Sequence, residues 1–127
     1  MKIAEIVAPK QIVLREVERP RWEPGKVLVR MERVALCGGD LLHFGGEREG
    51  EVYPLERGRN GHECLGVVVE SAEEEFVSGD RVLVLPSNQD GLAEFMLVSP
   101  QQLMVLPKDI NADLVLMTQL LGTVIHC

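Results

Sequence analysis

At 127 residues and 46% hydrophobic content, the chain is long enough for one domain with a core of its own, so neither disulfides nor a metal staple is needed for folding. Its 13 basic against 20 acidic side chains leave a net charge of -7, which repels phosphate backbones and anionic lipid surfaces and argues against nucleic acid or membrane surfaces as partners. The start, Met1-Lys2-Ile3-Ala4-Glu5, carries no long apolar run, and no stretch approaches the ~18 apolar residues of a membrane span, so a cytoplasmic chain is expected.

In chain order, short alternating or apolar runs rich in Val and Ile predict strands over Lys2–Val7, Ile12–Val17, Val27–Ala35, Cys64–Ser71, Arg81–Leu85, Ala93–Val98 and Leu103–Val105. Turn chemistry separates them at Pro20, Pro24-Gly25, Gly45-Gly46, Ser78-Gly79-Asp80 and Asn88-Gln89-Asp90-Gly91. The acidic run Glu73-Glu74-Glu75 reads as a solvated loop. After Pro107 the period changes. Asn111 supplies a cap, Asp113 an acidic first turn, and Leu114, Met117, Leu121 and Val124 recur at helical spacing, which predicts a helix from about Asn111 to His126. Met104, Met117 and their apolar neighbours are assigned to the core. A mainly β barrel with a closing helix follows.

Two local groups carry chemistry: Cys37-Gly38-Gly39-Asp40 after a strand and Gly61-His62-Glu63 before one. Cys37 and His62 are 25 residues apart, too far for a zinc-finger knuckle and suited to a site assembled from two loops. Thiolate, imidazole and carboxylate are all good zinc ligands, and a catalytic zinc takes three protein ligands and keeps one position open. Taken singly, a Cys at a strand end is more often a small core residue and a His-Glu pair a surface turn. The three cysteines, an odd number without a secretion signal, favour free thiols or a metal ligand over a disulfide framework.

Val34-Ala35-Leu36-Cys37-Gly38-Gly39-Asp40-Leu41, Gly61-His62-Glu63-Cys64-Leu65-Gly66-Val67-Val68-Val69-Glu70, Gly79-Asp80-Arg81-Val82 and Gly91-Leu92-Ala93-Glu94-Phe95 occur in the order of four signatures of the medium-chain zinc dehydrogenases. On these motifs the chain resembles the N-terminal catalytic domain of a zinc-containing alcohol dehydrogenase. The resemblance implies a GroES-like barrel over residues 1–110, with a short helical segment. It implies a C-terminal helix over 111–127 that would lead into a nucleotide-binding Rossmann domain absent from the sequence. It implies one catalytic zinc held by Cys37 and His62, with Glu63 as a direct or exchanging ligand and Asp40 orienting the imidazole. Such a zinc lowers the pKa of a bound alcohol, polyol or sugar hydroxyl, so that hydride passes to NAD or NADP. The family's usual dimers or tetramers make a homo-oligomer part of the expectation.

The chain departs from the family's pattern at named places. Gly39 replaces the usual Ser or Thr, whose hydroxyl passes on the substrate proton. Leu42 takes the place of a relay His, so His43, one residue later, is a displaced candidate. Gln119 stands where polyol-dehydrogenase-like members place a metal-binding Glu; the competing reading turns it to solvent or a neighbouring strand. Between Leu85 and Gly91 there is no cluster of four cysteines, so a second, structural zinc is not expected. Cys64 and Cys127 are read as buried small residues. No G-x-G-x-x-G opens a helix, so NAD or NADP would bind only through a domain not in this sequence. The competing functions are a stand-alone metal- or partner-binding module without redox activity and, more distantly, a co-chaperonin-like ring subunit, which gives no reason for Cys37 and His62.

Overall fold

The computed structural model describes residues 1–125. Seven strands and two α-helices follow one another: β1 (Lys2–Ala8), β2 (Gln11–Glu16), β3 (Val27–Ala35), α1 (Gly38–Gly45), β4 (Glu63–Glu70), β5 (Arg81–Val84), β6 (Phe95–Val98), β7 (Leu103–Val105) and α2 (Ala112–Ile125), with a 3-10 turn at Pro100–Gln102 before β7. β1 and β2 form an antiparallel hairpin, and the other five strands form a sheet in the order β6-β3-β4-β5-β7. The barrel is therefore two open sheets stitched at one place. An Ile3–Ala93 bridge joins them, and Ala4 N–H donates to Leu92 O at 2.9 Å.

The alternation that marks the strands is what fills the barrel. Val27, Val29, Cys64, Val68, Val82, Val84, Met96 and Val98 point inward around Phe76 and form one buried cluster. β4 lies at the centre of the sheet and is buried over most of its length, so it reads as a continuous apolar run rather than an alternation. Glu73-Glu74-Glu75 is exposed, as the sequence suggests.

α2 begins as predicted, with Asn111 Oδ1 accepting the Asp113 N–H at 2.9 Å. Its packing differs from expectation. Val115 and Leu116 are the residues that bury, against Leu65 and Leu83, while Leu114, Met117, Leu121 and Val124 are 66%, 58%, 56% and 73% exposed. Met104 is likewise 59% exposed, so neither methionine is a core residue. The cause is compositional. The helix sequence ADLVLMTQLLGTVI is apolar almost all round, so its periodicity names a stripe without saying which stripe meets the sheet. Burial of Val115 and Leu116 contributes about 1.5–3 kcal/mol each. The last predicted helical residue, His126, and Cys127 lie outside the described residues.

Candidate metal centre

β3 and β4 are antiparallel and end in register, with Ala35 opposite Glu63. The residues just past that pair, Cys37 on one strand and His62 on the other, therefore leave the sheet at the same end. This is how two groups 25 residues apart come to face each other, with Cys37 Sγ 3.7 Å from His62 Nε2.

α1 starts at this point because its first turn is closed from both sides. Cys37 is the N-cap: its sulfur accepts the Gly39 N–H at 3.2 Å, and its own N–H donates to Asp40 Oδ2 at 2.8 Å, a capping box built on a thiol. The second Asp40 oxygen, Oδ1, accepts the Gly61 N–H at 2.8 Å, and Asn60 Nδ2 donates to the Asp40 carbonyl at 3.1 Å. One buried carboxylate thus joins the Cys37 loop to the His62 loop.

Two glycines let the His62 loop lie where it does. Gly61 has φ +75°, and a β-carbon there would stand 2.5 Å from Val34 Cγ2. Gly91, on the neighbouring turn, would place a β-carbon 2.2 Å from Gly61 O and 2.4 Å from Cys64 Sγ. In its absence Gly91 N–H donates to Gly61 O at 3.1 Å, and Asn60 N–H to Gln89 O at 2.6 Å. The short turn Pro86–Asp90, which has no cysteines, backs the loop that carries His62.

The result is a cluster in which one ligand atom from each of Cys37, Asp40, His62 and Glu63 lies within 4.8 Å of the others. His62 Nε2 faces both Cys37 Sγ and Glu63 Oε1, the latter at 3.2 Å, while Nδ1 turns to Asp40 Oδ1 at 4.0 Å. Zinc bond lengths at a tetrahedral angle place sulfur and nitrogen ligands about 3.5 Å apart, and nitrogen and oxygen about 3.4 Å. The observed 3.7 and 3.2 Å fit that spacing. A second observation agrees. Glu63 is 1% exposed and Asp40 3%, and among the described residues both form ion pairs with His62 alone, while Glu63 Oε2 and His62 Nδ1 are buried without a hydrogen-bond partner. Two buried carboxylates with an orphaned oxygen are a costly arrangement that a cation relieves.

The other sequence candidates lie around this cluster. Gln119 reaches it from α2, with Nε2 donating to His62 O at 2.6 Å, so the amide holds the backbone of the His62 loop. His43 is 2% exposed on the last turn of α1 and is bonded through Nδ1 to Glu51 Oε1. Tyr53 O–H contacts Glu51 Oε2 at 3.0 Å and the His43 carbonyl. Burial works to raise the Glu51 carboxyl pKa, but the hydrogen bonds from His43 and Tyr53 and the His43 charge outweigh it, leaving it below the usual carboxylate range. The Tyr53 phenol is raised, first by burial and then by Glu51. Nothing in the sequence of this irregular segment announces Glu51 and Tyr53 as the partners of His43. Cys64 is fully buried, and burial, with the Glu63, Asp90 and Asp40 charges, pushes its thiol up to about 12, so it stays protonated and donates to Gly61 O.

A cleft of about 1010 Å³ opens onto Cys37, His62 and Glu63 between α2 and the edge of the sheet at β5 and β7. Its walls include Leu83, Met104 and Gln119.

Comparison with known proteins points the same way. The alcohol dehydrogenase GroES-like domain matches residues 23–108. An acryloyl-coenzyme A reductase of Sulfurisphaera tokodaii is 36% identical over 98 residues, covering 75% of this chain and 28% of the relative. The (R,R)-butanediol dehydrogenase of Bacillus subtilis is 34% identical over 99 residues, 68% of this chain and 28% of the relative. The chain thus spans little more than a quarter of the curated relatives it matches. The crystal structure of an alcohol dehydrogenase from Aeropyrum pernix superposes with a TM-score of 0.72 at 27% identity, over 91% of this chain and 42% of that one.

Proposed function

Since the chain belongs to the zinc-type alcohol dehydrogenase family, of which it carries the N-terminal GroES-like domain, we propose that it is the catalytic metal-binding domain of an NAD(P)-dependent dehydrogenase acting on an alcohol, polyol or sugar. The observation that carries this reading is the cluster of Cys37, Asp40, His62 and Glu63 within 4.8 Å, three of which, Cys37, His62 and Glu63, form the floor of the cleft. Cys37, His62 and Glu63 would hold the zinc, which supplies Lewis-acid polarisation of a substrate oxygen when bound. Asp40 positions the ligands by its bonds to the Cys37 and Gly61 amides and by facing His62 Nδ1, the usual task of an outer carboxylate. Gln119 supports the His62 loop from α2, and an amide there leaves the three ligands above as the donor set. The nicotinamide would be held by polypeptide other than these residues.

The acryloyl-coenzyme A reductase relative makes reduction of a carbon–carbon double bond an alternative chemistry. A half-buried thiol and imidazole grouped with a buried carboxylate around a cation-sized space favour the metal-dependent dehydrogenase. Gly39 favours a second reading, a metal-binding module without redox activity, because no hydroxyl stands beside Cys37 to move a proton. His43, engaged by Glu51 and Tyr53, is assigned to anchoring the segment that leads to His62 and not to a proton relay.

The test is metal analysis after anaerobic loading. The chain should retain about one zinc, and a Cys37→Ser/His62→Ala double variant should retain none above background. Equal retention by both would overturn the assignment.

A further inference from the structure

The described part of the cleft is apolar around a polar floor. Leu83, Leu85, Met104, Leu120 and Val124 wall it, and no lysine or arginine lines it. Its two polar wall residues are already engaged: Thr118 Oγ1 donates to Val115 O at 2.6 Å, and the Gln119 amide donates to His62 O at 2.6 Å. Beside Cys37, Gly38 and Gly39 present no side chain at all.

From this we propose that the cleft selects short aliphatic alcohols or their carbonyl counterparts, and discriminates against polyols, sugars and phosphorylated sugars. The inference rests on the reading of the floor as a metal site, since it is the metal that would take the one polar atom of the substrate. A single hydroxyl placed at the floor leaves the alkyl chain against Leu83, Met104 and Leu120, where burial of apolar surface favours binding. Each further hydroxyl on that chain leaves water for walls made mostly of leucine, methionine and valine, whose two polar side chains already spend donors on backbone carbonyls, and a phosphate finds no lysine or arginine in the described lining. An apolar pocket typically rejects an added hydroxyl by about 100-fold, and a cleft open on one side should retain at least about 10-fold of that.

The experiment uses the 127-residue chain loaded with Co(II) in place of zinc, whose thiolate-to-cobalt absorption reports both occupancy and ligand exchange. Two thiols of equal length are titrated: propane-1-thiol and 3-mercaptopropane-1,2-diol. Propane-1-thiol should bind at least about 10-fold more tightly, and Met104→Gln, at an exposed position that can offer an amide to the diol, should narrow that ratio. Equal binding of the two thiols by a chain that shows the cobalt band overturns the selectivity and leaves the metal site standing. A large ratio that Met104→Gln leaves unchanged also overturns it, because the preference would then belong to the thiols and not to the wall. Absence of the band in the wild type overturns the metal reading itself, and the selectivity with it.

Discussion

Replacing Asp40 by Asn separates the two tasks that its carboxylate performs. Asp40 Oδ2 accepts from Cys37 N and Oδ1 from Gly61 N, both at 2.8 Å, and the side chain is 3% exposed. Asparagine has one oxygen, so one of these amides meets an NH2 group and loses its acceptor inside the protein. A charge-assisted bond of this kind is worth about 1.5–3 kcal/mol. In the metal-free chain part of that loss is offset, because removing one of two buried carboxylates relieves its repulsion with Glu63. We therefore expect a loss of about 1–2 kcal/mol without metal. With zinc bound, the repulsion is already neutralised and the His62 imidazole loses the carboxylate that faces Nδ1 at 4.0 Å, so the loss is larger. The difference is read as zinc affinity, which should fall by 10–100-fold, equivalent to about 1.4–2.7 kcal/mol. Urea unfolding of wild type and Asp40→Asn, each with a chelator and with saturating zinc, gives both quantities in one experiment. If the variant loses the same stability in both conditions, Asp40 serves only as a structural tie and the positioning argument fails. If it loses nothing in either, the two hydrogen bonds do not carry the weight assigned to them.

Other substitutions test neighbouring parts of the site. Gly91→Ala puts a methyl group 2.2 Å from Gly61 O, so the two turns must separate; we expect at least about 1–3 kcal/mol of destabilisation together with weakened zinc binding, and an unchanged melting temperature would refute the close approach. Gln119→Glu loses the bond to His62 O, costing about 1 kcal/mol without metal, but brings a carboxylate to the cleft, so zinc affinity should rise about 10-fold; equal affinities in a chelator competition would show that the helix does not reach the metal. Glu51 tests the sign of a pH effect. Its folded pKa is lowered from an ordinary 4.5, so its contribution to stability is present above that value and is lost as pH falls below it towards the folded pKa. The stability gap between wild type and Glu51→Gln should accordingly be widest near neutrality and close on acidification below pH 4.5, and a gap that stays constant from pH 7 to pH 3 would remove the carboxylate's charge from the explanation.

The strands were legible because inward-facing Val and Ile alternate with polar residues and turn residues punctuate them; all seven are present, Val27–Ala35 and Leu103–Val105 with the predicted bounds. The short helical segment was expected, but its place was harder to see. α1 opens on Gly38-Gly39 and has eight residues, too few for an apolar period to emerge, and its stability comes from a cap made by a cysteine and an aspartate that the metal motif also uses. Met117 and its apolar neighbours read as core in the sequence because an apolar helix has no single preferred side there; the choice is made by Leu65 and Leu83 on the sheet, which leaves Met117 exposed. At the candidate site, Cys37, His62, Glu63 and Asp40 were recognisable from residue type and adjacent glycines, and the structure draws them together through the end of one antiparallel pair. The Gln119 contact with a backbone carbonyl, and the tie from His43 to Glu51, depend on tertiary placement of irregular segments and leave no pattern in the chain.

The carboxylate shared by two loops also has a consequence for motion. The amide protons of Cys37 and Gly61, 24 residues apart, end on the two oxygens of one side chain. Neither loop can swing away through a rotation of the Asp40 side chain without freeing the other, so local opening at this end of the barrel is a joint event. In hydrogen exchange the two amides should behave as one reporter, with similar opening free energies and the same response to denaturant, while the outward-facing amides of α1 exchange on their own schedule. A pair of protons distant in sequence would then record, without any metal or substrate, how often the two halves of the site part company.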